Sequence, residues 1–348
     1  MSRDPDGRNQ LRILYFCNDL AYFRAHRLPT AERMVAAGHE VILLVGGVTP
    51  ESAAGLPEQL TLVPTPVERH RLSFRDAAAA WSLARLVRSL RPDVIHAITI
   101  KPNLIAAMVL PFLATAADMR VVLTFPGLGR VFEPTGMAGR LRRRLVAAVL
   151  ALGAGRIGAV ATFENASDRE RMVSQGVFPE KRAVAIMGAG IDRGKFYPPA
   201  AGSGDAPLTF LFASRLLRSK GLAEYVEAAR ILRHRGSTAR FLIAGPNDPG
   251  YPDNLDVPAL LARDPSDAIA YLGAIPPGGM PDLLRRADIV CLPTRLSEGF
   301  PRSLIEAAAC GCALIGSDQP SIRQIVLPGR TGWLVDGASV ASLVDAMG

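Results

Sequence analysis

The sequence predicts an α/β protein of two doubly wound domains, each a parallel sheet covered by helices on both faces. Short β-branched runs alternate with helical patterns along nearly the whole chain, the rhythm of right-handed βαβ crossovers. The alternation breaks at "PPAAGSGDAP" (198–207), the strongest linker signal, and then restarts. A length of 348 residues exceeds one ordinary core, and 49% apolar against 21% charged residues makes the whole length foldable. The expected domains are 1–198 and 199–348.

Strands of the first domain are expected at "RILYF" (12–16), "EVILLV" (40–45), "LTLVP" (60–64), "DVIHAI" (93–98), "RVVLTF" (120–125), "GAVATF" (158–163) and "AVAIM" (183–187). Between them, "HRLPTAERMVAAG" (26–38) reads as a helix ended by Gly38, and "FRDAAAAWSLARLVRSLRP" (74–92) as one stopped by Pro92. The second domain offers "LTFLFAS" (208–214), a helix near 221–235, "RFLIAG" (240–245), "IAYLG" (269–273), a helix near 279–287, "DIVCLP" (288–293) and "CALIGS" (312–317). Before the last of these, Leu304, Ile305, Ala308 and Ala309 recur at helical spacing, with Pro301 suited to the first turn and Gly311 at the end. Ligands of such sheets bind beyond the strands' carboxyl ends, so a crevice between the domains is the expected site.

Residues 1–200 hold 26 Lys+Arg against 17 Asp+Glu, a net +9 that exceeds the whole chain's +8. The first half therefore suits an anionic partner. Within it "GRLRRRLVAAVLALGAGR" (139–156) fits two readings, a helix with a solvated first turn or a patch that meets anionic lipid. The longest apolar stretches, "NLIAAMVLPFLATAA" (103–117) and "LVAAVLALGAG" (145–155), fall short of the ~20 residues a bilayer requires. With a polar "MSRDPDGRNQ" start and no secretory leader, the expectation is a cytoplasmic protein at the inner face of the membrane. Cys17, Cys291, Cys310 and Cys312 read as buried thiols, since Cys-Gly-Cys lacks the spacing of zinc or redox sites. Scattered arginines, 6% aromatics and no nucleic-acid motif argue against a nucleic-acid partner.

Chemistry concentrates where two carboxylates frame the helix of residues 301–311. Glu298 falls on the loop after "DIVCLP" and Glu306 inside the helix, whose open N–H groups near Arg302, Ser303 and Leu304 can face an anion. In "FASRLLRSKGL" (212–222), Arg215 and Lys220 follow another strand's carboxyl end, a guanidinium fork and a point charge suited to a diphosphate. In the first domain, "YFRAHRLPTA" (22–31) puts Arg24, His26 and Arg27 just after the first strand, with His26 expected at a phosphate. His96 and Lys101 lie at the end of "DVIHAI"; for His96 a core role and a ligand-facing role stand evenly. Gly127–Gly129 and Gly188–Gly190 would let backbone approach a ligand.

"SRLLRSKG" and "EGFPRSLIEAAACGCALIGSD" resemble the signature of retaining glycosyltransferases of the large GT-B family, in which seven residues separate two glutamates. "HRLPTAERMVAAGHEV", "DVIHAITIKPN", "MGAGIDRGKFYP" and "IRQIVLPGRTGWLV" resemble the branch that builds capsule, O-antigen and N-linked glycan precursors on polyprenyl diphosphate. The resemblance implies a GT-B fold of two Rossmann-like domains, the first binding a polyprenyl-linked glycan acceptor and the second a nucleotide sugar, uridine-linked by preference. It implies that Arg215 and Lys220 neutralise the diphosphate, that Glu306 accepts from ribose hydroxyls and that Glu298 holds the donor sugar. Gly190 and the Gly299-Phe300-Pro301 backbone would line that ligand, and His96 and Lys101 would meet the acceptor. No cofactor and no metal are implied; the only Asp-x-Asp is Asp4-Pro5-Asp6, in the polar tail. Departures are Gln324 where many relatives have Glu, no glycine-rich loop after the first strand, and relatives that continue past the position of Gly348. The rival readings are a sugar-nucleotide epimerase of similar fold and a non-catalytic nucleotide- or nucleic-acid-binding protein.

Overall fold

The computed structural model describes residues 10–348 apart from 68–73, 114–118, 130, 133–135, 200–205, 248–252, 263–268 and 277. The tail with Asp4 and Asp6 and the middle of the linker lie outside the described residues.

The chain divides into two compact units, Met1–Ala189 and Gly190–Gly348. The first holds seven strands: β1 (Arg12–Cys17), β2 (Glu40–Val45), β3 (Leu60–Pro64), β4 (Val94–Ile98), β5 (Arg120–Phe125), β6 (Val160–Phe163) and β7 (Ala183–Ala185). Their order is β3-β2-β1-β4-β5-β6-β7, every pair parallel, so the order reverses at β1. Successive side chains of a strand point to opposite faces. Accordingly Leu14, Phe16, Ile42 and Leu44 join one core with helices Phe74–Leu90, Ile100–Val109 and Gly136–Arg156, whereas Ile13, Tyr15, Cys17, Val41 and Leu43 build the other.

The second unit repeats the plan with β8 (Thr209–Ala213), β9 (Arg240–Ala244), β10 (Ile269–Tyr271), β11 (Ile289–Leu292), β12 (Ala313–Ser317) and β13 (Gly332–Val335). The order is β10-β9-β8-β11-β12-β13, again all parallel, with its reversal at β8. Phe210 and Phe212 face one core and Leu211 and Ala213 the other. All four cysteines are free and buried.

Three features differ from the sequence reading. The helix expected over 26–38 runs Leu28–Ala36 and is preceded by one not expected, so the stretch after β1 holds two helices, Leu20–His26 and Leu28–Ala36. Asp19 caps the first by accepting from the Tyr22 N–H at 2.6 Å, and Pro29, without an N–H, opens the second. The tight turn after β1 is therefore only Asn18-Asp19, and Arg24 and His26 ride on a helix. The second difference is the seam, expected at 198 and found at 189. Residues after Gly190 pack with the second unit: Phe196 is buried, the Arg285 guanidinium lies 4.6 Å from the Tyr197 ring centroid, and Arg285 donates to the Lys195 carbonyl at 3.0 Å. Third, β13 and the closing helix Val340–Met347 go beyond the elements expected.

Helix Gly136–Arg156 seats on helix Ile100–Val109 through Gly153. A Cβ there would sit 2.0 Å from the Ala107 carbonyl oxygen, whereas one on Gly155 meets nothing within 4 Å. Alanine gains about 1 kcal/mol over glycine in a helix, but overpacking a core contact costs about 1–3 kcal/mol. Gly155→Ala is therefore expected to raise stability and Gly153→Ala to lower it in urea unfolding. A stabilising Gly153→Ala would refute this contact.

Candidate functional site

In the second unit the candidate site lies at the sheet's switch point, beyond the carboxyl ends of β8 and β11. The loop from Ser214 to Gly221 leaves β8 and ends in a 3-10 turn, Arg218–Lys220. Gly221 then starts helix Leu222–His234 with φ +80, a left-handed conformation. A Cβ on Gly221 would lie 2.0 Å from the Pro293 carbonyl oxygen. Only glycine allows both the dihedral and this approach, and the approach brings the loops after β8 and β11 together. From the end of the neighbouring strand β9, Gly245 packs its backbone against Ser214, where a Cβ would lie 1.8 Å from the carbonyl oxygen, beside the half-buried Arg215.

The consequence is an ion pair. Lys220 Nζ lies 2.5 Å from Glu298 Oε1, with the two side chains only 12% and 13% exposed. Glu298 Oε1 also accepts from the Thr294 hydroxyl at 2.8 Å. Thr294 is buried, and its carbonyl accepts from Ser317 Oγ at 2.6 Å and Gln319 Nε2 at 2.9 Å, while Gln319 Oε1 accepts from the Glu298 N–H at 3.3 Å. The Glu298 carboxylate is thus held by Lys220 and Thr294, and its backbone by Gln319. Among the described residues its Oε2 takes no hydrogen bond, so one acceptor oxygen is left for a ligand hydroxyl. Sequence reasoning singled out Lys220 and Glu298 but not that they touch, and it missed Thr294, Ser317 and Gln319, whose roles depend on β11 and β12 being neighbours.

Pro301 is the N-cap of helix Arg302–Ala309, one position before the first turn where it was expected. The Leu304 N–H donates to the Pro301 carbonyl at 3.2 Å, so of the three amides expected to face an anion, those of Arg302 and Ser303 are at the open end. The Leu304 side chain is fully buried in the core. Glu306, 8% exposed, pairs with Arg302 one turn earlier. Burial raises the Glu306 pKa and the Arg302 charge opposes that rise. Gly299 and Phe300 lie on the loop before the cap, and Gly190 is the left-handed first residue of the unit. A second pair, Arg295 with the buried Glu224, ties the β11 loop to helix Leu222–His234.

The first unit has its own polar cluster at the carboxyl ends of β1, β4, β5 and β6. Arg27 pairs with Glu164, their side chains 11% and 8% exposed. Burial raises the Glu164 pKa and Arg27 counters it. His96 Nε2 lies 2.7 Å from Thr124 Oγ1, itself 2.6 Å from Thr162 Oγ1, and the His96 ring packs 5.3 Å from that of Tyr15. Burial, and then the Arg27 charge, pushes the His96 pKa down to about 3, so the imidazole is neutral at physiological pH. His26 stacks on Tyr22 with centroids 4.3 Å apart. Lys101 is matched by Asp76 at 3.0 Å, and Arg24 donates to the carbonyls of Ser52 and Ala54 at 2.9 and 2.6 Å. The cations expected at this edge are thus engaged by groups of their own unit. Among the described residues no cluster of three or more His, Cys, Asp or Glu is placed to hold a metal, and no helix is long and apolar enough to cross a membrane.

Two parallel-sheet α/β units of this topology define a GT-B fold. The structure of a sucrose-phosphate synthase from Thermosynechococcus elongatus superposes with a TM-score of 0.77 at 17% identity, over 97% of this chain and 88% of that one. The family described as "Glycosyl transferase 4-like domain" matches residues 24–187, and "Glycosyl transferases group 1" matches residues 195–348. Each unit thus matches a glycosyltransferase domain family along most of its length. It is 28% identical over 247 residues to the N,N'-diacetylbacillosaminyl-diphospho-undecaprenol alpha-1,3-N-acetylgalactosaminyltransferase of Campylobacter jejuni, over 68% of this chain and 61% of that protein. It is 29% identical over 180 residues to the amylovoran biosynthesis glycosyltransferase AmsK of Erwinia amylovora, over 50% and 43%. The chain spans 41% to 61% of the length of such curated relatives. These matches favour neither the epimerase nor the nucleic-acid reading.

The neutral His96 makes a pH prediction. Its folded pKa is depressed below the ordinary value of 6.5, so its contribution to stability is present above pH 6.5 and is lost as pH falls toward 3. Thermal unfolding between pH 7.5 and 4.5 should show His96→Gln losing less stability on acidification than the parent chain, by about 1 kcal/mol or more. Parallel pH profiles would show that His96 charges freely in the folded state.

Proposed function

We propose that this protein moves a hexose or N-acetylhexosamine, with retention of configuration, from a uridine-linked nucleotide sugar to a polyprenyl-diphosphate-linked or other glycan acceptor in surface-polysaccharide synthesis. The second unit holds the donor and the first the acceptor, at the inner membrane surface. The observation that carries this reading is the Lys220–Glu298 pair, two opposite charges nine-tenths withdrawn from water at a sheet's switch point, with a free carboxylate oxygen beside them. The relative that acts on an undecaprenol-linked substrate by its name supports the acceptor class.

The chemistry follows from the charges. A nucleoside diphosphate leaving group gathers negative charge as the glycosyl bond breaks, and preorganised cations lower that barrier. Lys220, with Arg215 on the same loop, supplies positive charge; when a diphosphate arrives, Lys220 turns from Glu298 to the phosphate. Glu298, still oriented by Thr294 and Gln319, then has both oxygens for donor-sugar hydroxyls. Glu306 leaves Arg302 to accept from the ribose, and the Ser303 amide with Gly190, Gly299, Phe300 and Pro301 lines the ligand. On the first unit, His26 contacts the acceptor phosphate as a proton or hydrogen-bond partner, Lys101 adds charge and His96 acts as a neutral hydrogen-bonding group. Fixed protein cations do the work a metal would otherwise do.

Incubation with a panel of sugar nucleotides is expected to raise the Tm for one of them and to release nucleoside diphosphate slowly. Glu298→Gln, Arg215→Ala and Lys220→Ala should each lower transfer by about 100-fold or more, with unchanged far-UV circular dichroism, and a chelator should leave the rate unaltered. Turnover surviving any two of these substitutions would sink the site assignment; loss with chelator and rescue by metal would sink the metal-free reading.

A further inference from the structure

Helix Gly136–Arg156 carries a surface that the transfer reading does not use. Its 21 residues contain five arginines, Arg140, Arg142, Arg143, Arg144 and Arg156, and no acid. Met137, Leu141, Leu145 and Leu152 are 79%, 70%, 64% and 71% exposed. At about 100° per residue these four fall within an arc of about 80°, a stripe about 22 Å long. Arg140 and Arg144 border one side of it, Arg142 and Arg156 the other. The opposite face, with Leu150, Gly153 and Ala154, is the one buried against the core. Beyond the Arg144 edge a shallow groove is lined by Arg143, Arg144, Ala147, Ala151 and Val177.

A solvated helix does not expose four large apolar side chains in one line, and a helix built to pair with a second copy would set two rows of arginines against each other. An anionic bilayer resolves both: the stripe enters the acyl boundary, the flanking guanidinium groups reach phosphates, and the groove takes a headgroup. We propose that this helix lies in the plane of an anionic phospholipid surface and is the docking element of the first unit. Phe112, 78% exposed, ends the short 3-10 helix that follows the neighbouring helix Ile100–Val109. The inference deepens the membrane part of the proposed function, naming the surface and its lipid chemistry, and it stands on the stripe and its charges alone.

The test is co-sedimentation of the full chain, without any nucleotide sugar, with vesicles of phosphatidylcholine alone and of phosphatidylcholine mixed with phosphatidylglycerol. Binding is expected to the mixed vesicles and to weaken as salt rises. Leu141→Ser/Leu145→Ser should weaken it about tenfold, and Arg142→Gln/Arg144→Gln by about 20-fold with a shallower salt dependence. Both pairs are exposed, and either double variant that folds suffices to decide. No binding to mixed vesicles would overturn the proposal, as would leucine and arginine variants that bind like the parent chain. So would a dimer of the parent chain that the leucine variant abolishes, or equal affinity for random DNA. Because no donor is present, failure here leaves the transfer reading intact, and failure of transfer leaves this one intact.

Discussion

The second unit's site depends on one close approach, the Gly221 backbone against the Pro293 carbonyl. Without it the loop after β8 could not reach the loop after β11, and Lys220 would end in solvent away from Glu298. The ion pair that results is not chiefly a source of stability. Withdrawing two charges from water costs several kcal/mol per ion, which their attraction only roughly offsets. Such a pair persists where the fold has another use for the charges, and here both are reinforced: Thr294 and Gln319 hold the acid, and the 3-10 turn Arg218–Lys220 fixes the base. On the proposed reading, a diphosphate would replace the Glu298 carboxylate as the lysine's partner. The desolvation is already complete before it binds, the preorganisation that electrostatic catalysis requires.

The first unit treats its charges differently. Arg27 is closed off by Glu164 in a pair whose side chains are about nine-tenths buried, and Arg27 Nε finds no partner among the described residues. That guanidinium also lowers the His96 pKa, so a cation meant for one neighbour decides the protonation of another. The Tyr15, His96, Thr124 and Thr162 side chains continue the cluster across β1, β4, β5 and β6 as neutral hydrogen-bonding groups. A net positive first half therefore does not mean a positive strand edge. Its unmatched charge is found on the surface, most densely along Gly136–Arg156.

Most of the fold was legible in the sequence because strands buried on both faces must be short, apolar and β-branched. Strands at 12, 40, 60, 120, 209 and 240 begin where that composition begins. The helix within 26–38 was legible from Pro29 and Gly38 at its ends, whereas the helix Leu20–His26 before it was not, since its Asp19 cap follows β1 almost directly. The seam was misplaced because a Pro/Gly-rich stretch marks where regular structure stops, whereas Phe196 and Tyr197, just before it, are held by packing on the second unit. The site was legible as residue types: acids, bases and an open helix tip. Its pairings were not, since Thr294 and Gln319 acquire meaning only when β11 and β12 lie side by side.

The same contrast separates charged groups that bind from charged groups that merely sit. In the second unit the acid and base of the site are buried and oriented by neutral donors, while in the first unit's long helix the arginines are spread around an exposed apolar stripe without a single acid. Burial and fixed partners suit recognition of one ligand geometry; exposure and mobile side chains suit a fluid, anionic surface whose phosphates have no fixed positions. On the proposed reading, one unit grips a soluble, negatively charged donor while the other is drawn toward lipid. The charge asymmetry, +9 in the first 200 residues and nearly zero beyond, accords with that proposal.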